Sequence, residues 1–305
     1  MSLAGGAAAI QIAGLTKHYG PIVGVDRLSL DIPEGEVFGF LGANGSGKTT
    51  TIRTLLDLLR PTSGSAAILG FDCQRQGLEA RKRVGYAPGE MPMYPELTGS
   101  AYLAFLSKLA HQPISPARLA ALLSRFDMSQ LDLGRRMRDY SHGMKRKLGL
   151  VQALMTDPPV LILDEPTSGL DPLMIEAFSE TIDEIARAGR TTVFLSSHVL
   201  SEVDRVCQRI GLIRNGRLVA VRTLSELRAA TPRRLTVLFS QPVSADPPAM
   251  PGAIVVTREP QRWVIDVHGP LGTIVSSLTG LPVIDITLAP FALEDTILRL
   301  MGSDS

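Results

Sequence analysis

Gly42-Ala43-Asn44-Gly45-Ser46-Gly47-Lys48-Thr49 decides how this 305-residue chain is read. The octapeptide fits G-x-x-x-x-G-K-[ST]; the apolar run Val37 to Leu41 precedes it, and a stretch of helical character, Lys48 to Leu59, follows. Strand, glycine loop and helix is the order that makes such a loop a phosphate cradle. The glycines let the backbone curl until successive N–H groups point inward, and the helix behind adds its positive end. Lys48 then supplies a mobile cation for β- and γ-phosphates, and the Thr49 hydroxyl is placed to ligate magnesium. The ordinary alternative is a glycine-rich turn ahead of a core helix, so partners elsewhere in the chain have to decide.

Leu161-Ile162-Leu163-Asp164-Glu165 is a buried strand ending in two carboxylates. Asp164 at the strand tip can hold magnesium through water, and Glu165 can orient or deprotonate an attacking water. Taken alone, the pair reads as easily as an acidic approach to the helix near Pro172. Beside a phosphate loop the catalytic reading wins. His198 follows the strand Thr192 to Leu195 through Ser196-Ser197. A parallel sheet delivers the carboxyl ends of its strands to one edge, which would bring His198 to the side of Lys48 and Glu165, within reach of a γ-phosphate. Its alternative is a lone surface histidine. Of His18, His111, His142 and His268, only His142 has a comparable placement.

Further out, short apolar runs alternate with helical patterns through the first two thirds of the chain, the signature of a parallel sheet covered by helices. Helical patterns dominate from about Pro95 to Met155. There Ser115-Pro116 caps a helix over Ala117 to Phe126, and the loop Tyr140 to Gly143 opens into another from Met144. Asn215-Gly216 is a hairpin turn between Ile210 to Ile213 and Arg217 to Val221, because both residues tolerate positive φ. After Ser225 the prolines at 232, 242, 247, 248 and 251 interrupt short strands such as Arg234 to Phe239 and Trp263 to Val267. The expectation is two domains, 1–225 and a small α+β domain over 226–305.

Hydrophobic residues at 45% and a net charge of +1 fit a globular protein with no general attraction to nucleic acid. Cys73 and Cys207 stand far apart, outside any metal-ligand spacing, and read as buried thiols. Met1 to Ile10 carries no Lys or Arg and is not expected to be a signal peptide. No stretch approaches the roughly 20 apolar residues of a membrane-spanning helix.

Taken in order, these motifs resemble the ATP-binding subunits of ABC transporters over about residues 9 to 225. The resemblance implies a P-loop α/β cassette: a parallel-sheet core, a small antiparallel β part and a helical subdomain at about 95–155. In it Tyr19 of Lys17-His18-Tyr19-Gly20 matches the aromatic residue that stacks on adenine. Gly42, Ala43, Asn44, Gly45, Ser46, Gly47, Lys48, Thr49 and the adjoining Thr50 match Walker A, Leu161 to Glu165 matches Walker B, and His198 matches the switch histidine. Asp171 of Ser168-Gly169-Leu170-Asp171 falls in the D-loop. Tyr140-Ser141-His142-Gly143-Met144 occupies the place of the family signature Leu-Ser-Gly-Gly-Gln, which in the family reaches the nucleotide held by a second copy.

Two departures stand out. His142 replaces a glycine, so its imidazole could contact a phosphate where backbone usually approaches. Gly89 stands where the family has a magnesium-ligating Gln, with Glu90 as its substitute. The Gly-Glu pair, the Ser-His-Gly-Met stretch and the closing segment Leu293 to Leu300 resemble the bacterial subgroup that exports drugs or antibiotics. The resemblance thus implies an ATPase using ATP and Mg2+, a sandwich dimer of two cassettes, most simply a homodimer, and separate transmembrane permease subunits that hold it peripherally on the inner face of the cell membrane. A soluble ABC-type ATPase acting on nucleic acid or ribosomes is the alternative. It usually brings two cassettes or a coiled-coil insertion and a clustered positive surface, none of which is legible here. A P-loop kinase gives no reason for the Ser141 loop or Asp171.

Overall fold

The computed structural model describes residues 8–91, 94–109, 114–231, 233–244, 246–289, 293, 296, 297 and 300. Residues Met1 to Ala7, His111 and much of the closing segment Leu293 to Leu300 lie outside them. The described chain begins with two long strands, β1 (Ala8–Tyr19) and β2 (Ile22–Pro33). Their period-two burial turns Ile10, Ile12, Leu28, Leu30 and Ile32 inward and Gln11, Ser29 and Asp31 outward. β3 (Val37–Leu41) is buried at every residue and belongs to another sheet, because a run without alternation has to be covered on both faces. With β4 (Ser63–Ile68) and β5 (Phe71–Asp72), β1 and β2 make an antiparallel sheet of order β2-β1-β4-β5.

The loop after β3 leads into α1 (Lys48–Leu55). Beyond α2 (Gly77–Arg81) and β6 (Val84–Ala87) comes the helical segment: α3 (Gly99–Leu109), α4 (Pro116–Arg125), α5 (Gln130–Gly134) and α6 (His142–Leu154). Ser115 caps α4, accepting from Arg118 N, and Pro116 takes its first turn, as its spacing predicts. The remaining elements of this unit are β7 (Val160–Asp164), α7 (Pro172–Ala188), β8 (Thr192–Ser197), α8 (Leu200–Val206), β9 (Arg209–Arg214) and β10 (Arg217–Thr223). They complete a six-stranded sheet of order β10-β9-β3-β8-β7-β6. From β9 to β6 each pairing is parallel. Asn215 (φ 50°) and Gly216 (φ 78°) make the turn from β9 to β10 with both residues left-handed, the requirement that marks this dipeptide in the sequence.

The chain divides between Val221 and Arg222, a few residues ahead of the shift in composition. The second unit starts with α9 (Leu224–Ala230), headed by a capping box between Thr223 and Glu226. It continues with β11 (Arg233–Phe239), β12 (Ala253–Glu259), β13 (Arg262–Val267), α10 (Leu271–Ser277) and β14 (Val283–Ala289). The strands form an antiparallel sheet of order β12-β13-β11-β14. Its core gathers Leu235, Val237, Trp263, Ile265 and Ile274, with the Phe239 and Trp263 rings edge to face at 4.8 Å.

Both cysteines are buried free thiols, and burial pushes Cys73 up to about 12. Phe194 on β8 is the keystone of the first unit's sheet. It is fully buried, 6.0 Å from the Phe38 ring and 5.3 Å from the Phe40 ring. Phe194→Ala should cost about 3–5 kcal/mol, since rigid strands on either side cannot collapse into the hole. Equilibrium denaturation measures the loss, and a change below about 1 kcal/mol would contradict this packing.

Candidate functional site

Parallel register brings the ends of β3, β7 and β8 level. Leu41 pairs with Ser197 and Asp164 with Ser196, so the loops after the three strands emerge at one edge. The glycine loop leaves β3 there. Gly45 (φ 78°) and Gly47 (φ 111°) take conformations that favour glycine, and a Cβ on Gly47 would stand 2.5 Å from Gly24 O. Lys48 heads α1 with only 5% of its surface exposed. Its Nζ donates to Gly42 O at 2.6 Å and Ala43 O at 3.3 Å, and stands 3.1 Å from Glu165 Oε1. Those carbonyls hold the ammonium across the mouth of the loop. The Ser46 hydroxyl is buried beneath it with no hydrogen-bond partner among the described residues.

Asp164 ends β7 almost fully buried, and both its oxygens are used. Oδ1 accepts from Ser196 Oγ at 2.6 Å, and Oδ2 accepts from Thr49 Oγ1 at 3.1 Å. Glu165 follows with φ 50°, a left-handed conformation uncommon outside glycine, and its N–H donates to Ser196 O at 3.1 Å. The bend turns its carboxylate toward the Lys48 ammonium and the His198 imidazole, with Oε1 facing Lys48 and Oε2 2.6 Å from His198 Nδ1. If that nitrogen carries the proton, Nε2 of the neutral ring is an acceptor, and donation from Nε2 needs a second proton.

Tyr19 and Thr50 flank the loop, Oη and Oγ1 being 3.4 Å apart. The cleft they share with Lys48, Thr49, Asn44, Gly45 and Glu165 has a volume of about 270 Å³. A hollow of about 310 Å³ elsewhere in this unit, near Arg118 and Arg125, lacks this chemistry: both guanidiniums are paired, with Asp157 and Glu184.

Ser141 and Asp171 cap helices. The Ser141 hydroxyl accepts from Met144 N and the Asp171 carboxylate from Met174 N, heading α6 and α7. The His142 ring packs on Gly169, where an added Cβ would overlap it, and Gly143 approaches Gly169 O. Residues 141–144 and 168–171 therefore touch within one chain. Glu90 is exposed; it is Gly89 that faces the carboxylate, since a Cβ there would lie 3.3 Å from Asp164 Oδ2. Two contributors escaped the sequence reading. Ser196, in a polar pair ending an apolar strand, left a faint signal. Arg146, which donates to backbone carbonyls only, left none.

The oxygen donors suit a small hard cation: one hydroxyl and one carboxylate converge at 3.1 Å, and no group of three His, Cys, Asp or Glu side chains among the described residues offers an all-protein cage. Magnesium is held in this way, by one or two protein oxygens with phosphate oxygens and water making up the rest.

A curled loop of backbone N–H groups closed by a buried ammonium is built for phosphate, which makes this chain a P-loop nucleotide-binding protein by class. A family model described as ABC transporter matches residues 25–168. The daunorubicin resistance ATP-binding protein DrrA3 of Streptomyces coeruleorubidus is 35% identical over 97% of this chain and 96% of its own length. The bacitracin transport ATP-binding protein BcrA of Bacillus licheniformis is 32% identical over 96% of this chain and 97% of its own. Among solved structures, an ATP-binding subunit of an ABC transporter superposes with a TM-score of 0.66 at 30% identity, covering 73% of this chain and 92% of that one. A bacterial ABC transporter cassette solved as a dimer shares the fold, with a TM-score of 0.65 at 23% identity over 70% of this chain and 98% of that one. The chain belongs to the ATP-binding subunits of ABC transporters and is an ATPase of that family. Among the described residues no helix is long and apolar enough to cross a membrane.

Ser196→Ala removes the hydroxyl that holds Asp164 Oδ1 and leaves a nearly buried carboxylate short of a partner. The expected cost is about 1–3 kcal/mol, measured by thermal or denaturant unfolding. A variant as stable as the parent would show that this contact does not position Asp164.

Proposed function

We propose that this chain binds ATP at the glycine loop, hydrolyses it within a sandwich of two cassettes, and thereby powers export of drug-like or antibiotic compounds through separate transmembrane subunits. The placement of Glu165 between Lys48 and His198 carries this reading. The Lys48 ammonium donates to two carbonyls and forms an ion pair with Glu165, whose Oε1 has no hydrogen-bond partner among the described residues. Phosphate oxygens entering the loop compete with Glu165 for Lys48. Once displaced, the carboxylate is available to accept a proton from the water that attacks the γ-phosphorus, with ADP as the leaving group. His198, already on Glu165, orients that carboxylate and in its doubly protonated form donates to the phosphate.

Tyr19, 43% exposed at the rim, offers a ring face for adenine, and Gly42 to Thr50 surround the phosphates. Thr49 and Asp164 are the residues that would hold Mg2+, which supplies charge neutralisation across the phosphate oxygens. The N-terminus of α6, with Ser141, His142, Gly143 and Met144, faces the nucleotide of the second copy, and Asp171 lies beside it. A helix N-terminus favours an anion, which supports this placement. The contact of His142 with Gly169 leaves phosphate contact by the imidazole as the less supported role. Likeness over nearly the full length to a daunorubicin resistance and a bacitracin transport ATP-binding protein supports transport of such compounds; an identical second cassette and a position on the inner membrane face through the permease complete the proposal.

Glu165→Gln tests the core of this reading. The variant should bind ATP at least as tightly as the parent, because the competitor for Lys48 has lost its charge. Turnover should fall by about 10²–10⁴-fold, and ATP should drive the variant into dimers on size-exclusion chromatography. Near-normal turnover would remove Glu165 from the chemistry.

A further inference from the structure

Arg146 lies on the first turns of α6, 4% exposed, with no carboxylate against its guanidinium among the described residues. Four backbone carbonyls surround it instead. Nη1 donates to Pro88 O at 2.7 Å and Asp164 O at 3.5 Å, Nη2 donates to Gly89 O, and Nε donates to Ser168 O at 3.3 Å. Burial pulls the guanidinium pKa below its ordinary value even though the Asp164 and Glu165 carboxylates favour its charge from a distance; a buried cation hydrogen-bonded only to carbonyls is an expensive arrangement, and what those carbonyls belong to explains it. Pro88 and Gly89 follow β6, Asp164 carries the Walker B carboxylate, and Ser168 precedes the segment on which His142 rests. No other side chain described here ties α6 to all three.

The same face of α6 stays on β6 further along. Gly149 packs beside the Met91 side chain, whose Sδ would lie 2.9 Å from an added Cβ, and Gln152 Nε2 donates to Tyr86 O at 3.2 Å. Gly85 in turn lies directly against Ala153 O. Positions 146, 149 and 153 form one helical stripe. Arg146 is the end of that stripe that reaches Asp164 O.

We infer that Arg146 is a positioning residue, which locks α6 to the Pro88–Gly89 segment and to the backbone at Asp164 and Ser168, so that the helix end serving the second copy's nucleotide moves as one body with this chain's own carboxylates. Gly89 makes the lock necessary. With no side chain at that position to reach Asp164, the link between this segment and the site has to run through backbone, and Arg146 holds that backbone in place. The planar fork matters as much as the charge, since one guanidinium serves four acceptors in three directions. This inference rests on the sandwich reading for its consequence in turnover and on the contacts alone for the lock.

The test uses Arg146→Lys and Arg146→Gln in the full chain, with turnover measured against ATP concentration and binding read by a fluorescent ATP analogue. The glycine loop is untouched, so analogue affinity should stay within about twofold of the parent. The kcat should fall about ten- to a hundredfold for Gln, as expected of slight misplacement at a reacting centre, and less for Lys. In the Glu165→Gln background, Arg146→Gln should also reduce ATP-driven dimerisation. An unchanged kcat, or a loss that follows ATP affinity or the folded fraction measured by circular dichroism, would overturn the inference. If Glu165→Gln itself forms no dimer, the sandwich reading fails, while the split between kcat and affinity still reports on Arg146.

Discussion

Everything at this site depends on parallel pairing of β3, β8 and β7 in register. Because Leu41 sits beside Ser197 and Asp164 beside Ser196, three segments distant in sequence deliver their loops to one edge with little freedom left. Each strand is buried on both faces, so a one-residue slip would move apolar side chains and break the alignment of Asp164 with Ser196 at once. Ser196 then fixes Asp164, Asp164 meets Thr49, and the left-handed turn at Glu165 aims its carboxylate between Lys48 and His198. A buried lysine is tolerable only in company of this sort. Two carbonyls and a carboxylate around Nζ offset the cost of desolvation, and the same ring of acceptors marks where phosphate oxygens compete.

Much of this is legible in the sequence, for physical reasons that differ between elements. The glycine loop and the Asn215–Gly216 turn announce themselves because left-handed backbone restricts residue choice, and both turn residues do take positive φ. β3, β7 and β8 were visible as unbroken apolar runs, and α4 by its serine cap and following proline. The antiparallel pair β1 and β2 was legible only through family resemblance, since Gly14 and several register shifts interrupt its alternation. The ion pair of Lys48 with Glu165 was not legible at all. Strand order places the two residues on one edge, but which oxygen meets which nitrogen is set by the turn at Glu165. Arg146 was invisible for a deeper reason: its partners are carbonyls, which every residue has, so no pattern of side chains betrays them.

The two departures from the family pattern prove to be of different kinds. His142 finds a place for its ring on Gly169, joining the two segments proposed to serve a second copy, and the absence of a side chain at Gly169 is what admits it. Gly89 instead removes a side chain next to Asp164, and exposed Glu90 does not fill that space. Where no side chain reaches Asp164 from this segment, anchoring of its backbone keeps the geometry, which is the task inferred for Arg146.

The whole site rests on Lys48 as the cation that receives phosphate. Titrating ATP into the Lys48→Ala chain by calorimetry tests it most directly. The predicted result is an affinity lower by roughly ten- to a hundredfold, the weight of charged hydrogen bonds lost in a buried site, together with loss of hydrolysis. Parent-like affinity and turnover in that variant would contradict the account at its root.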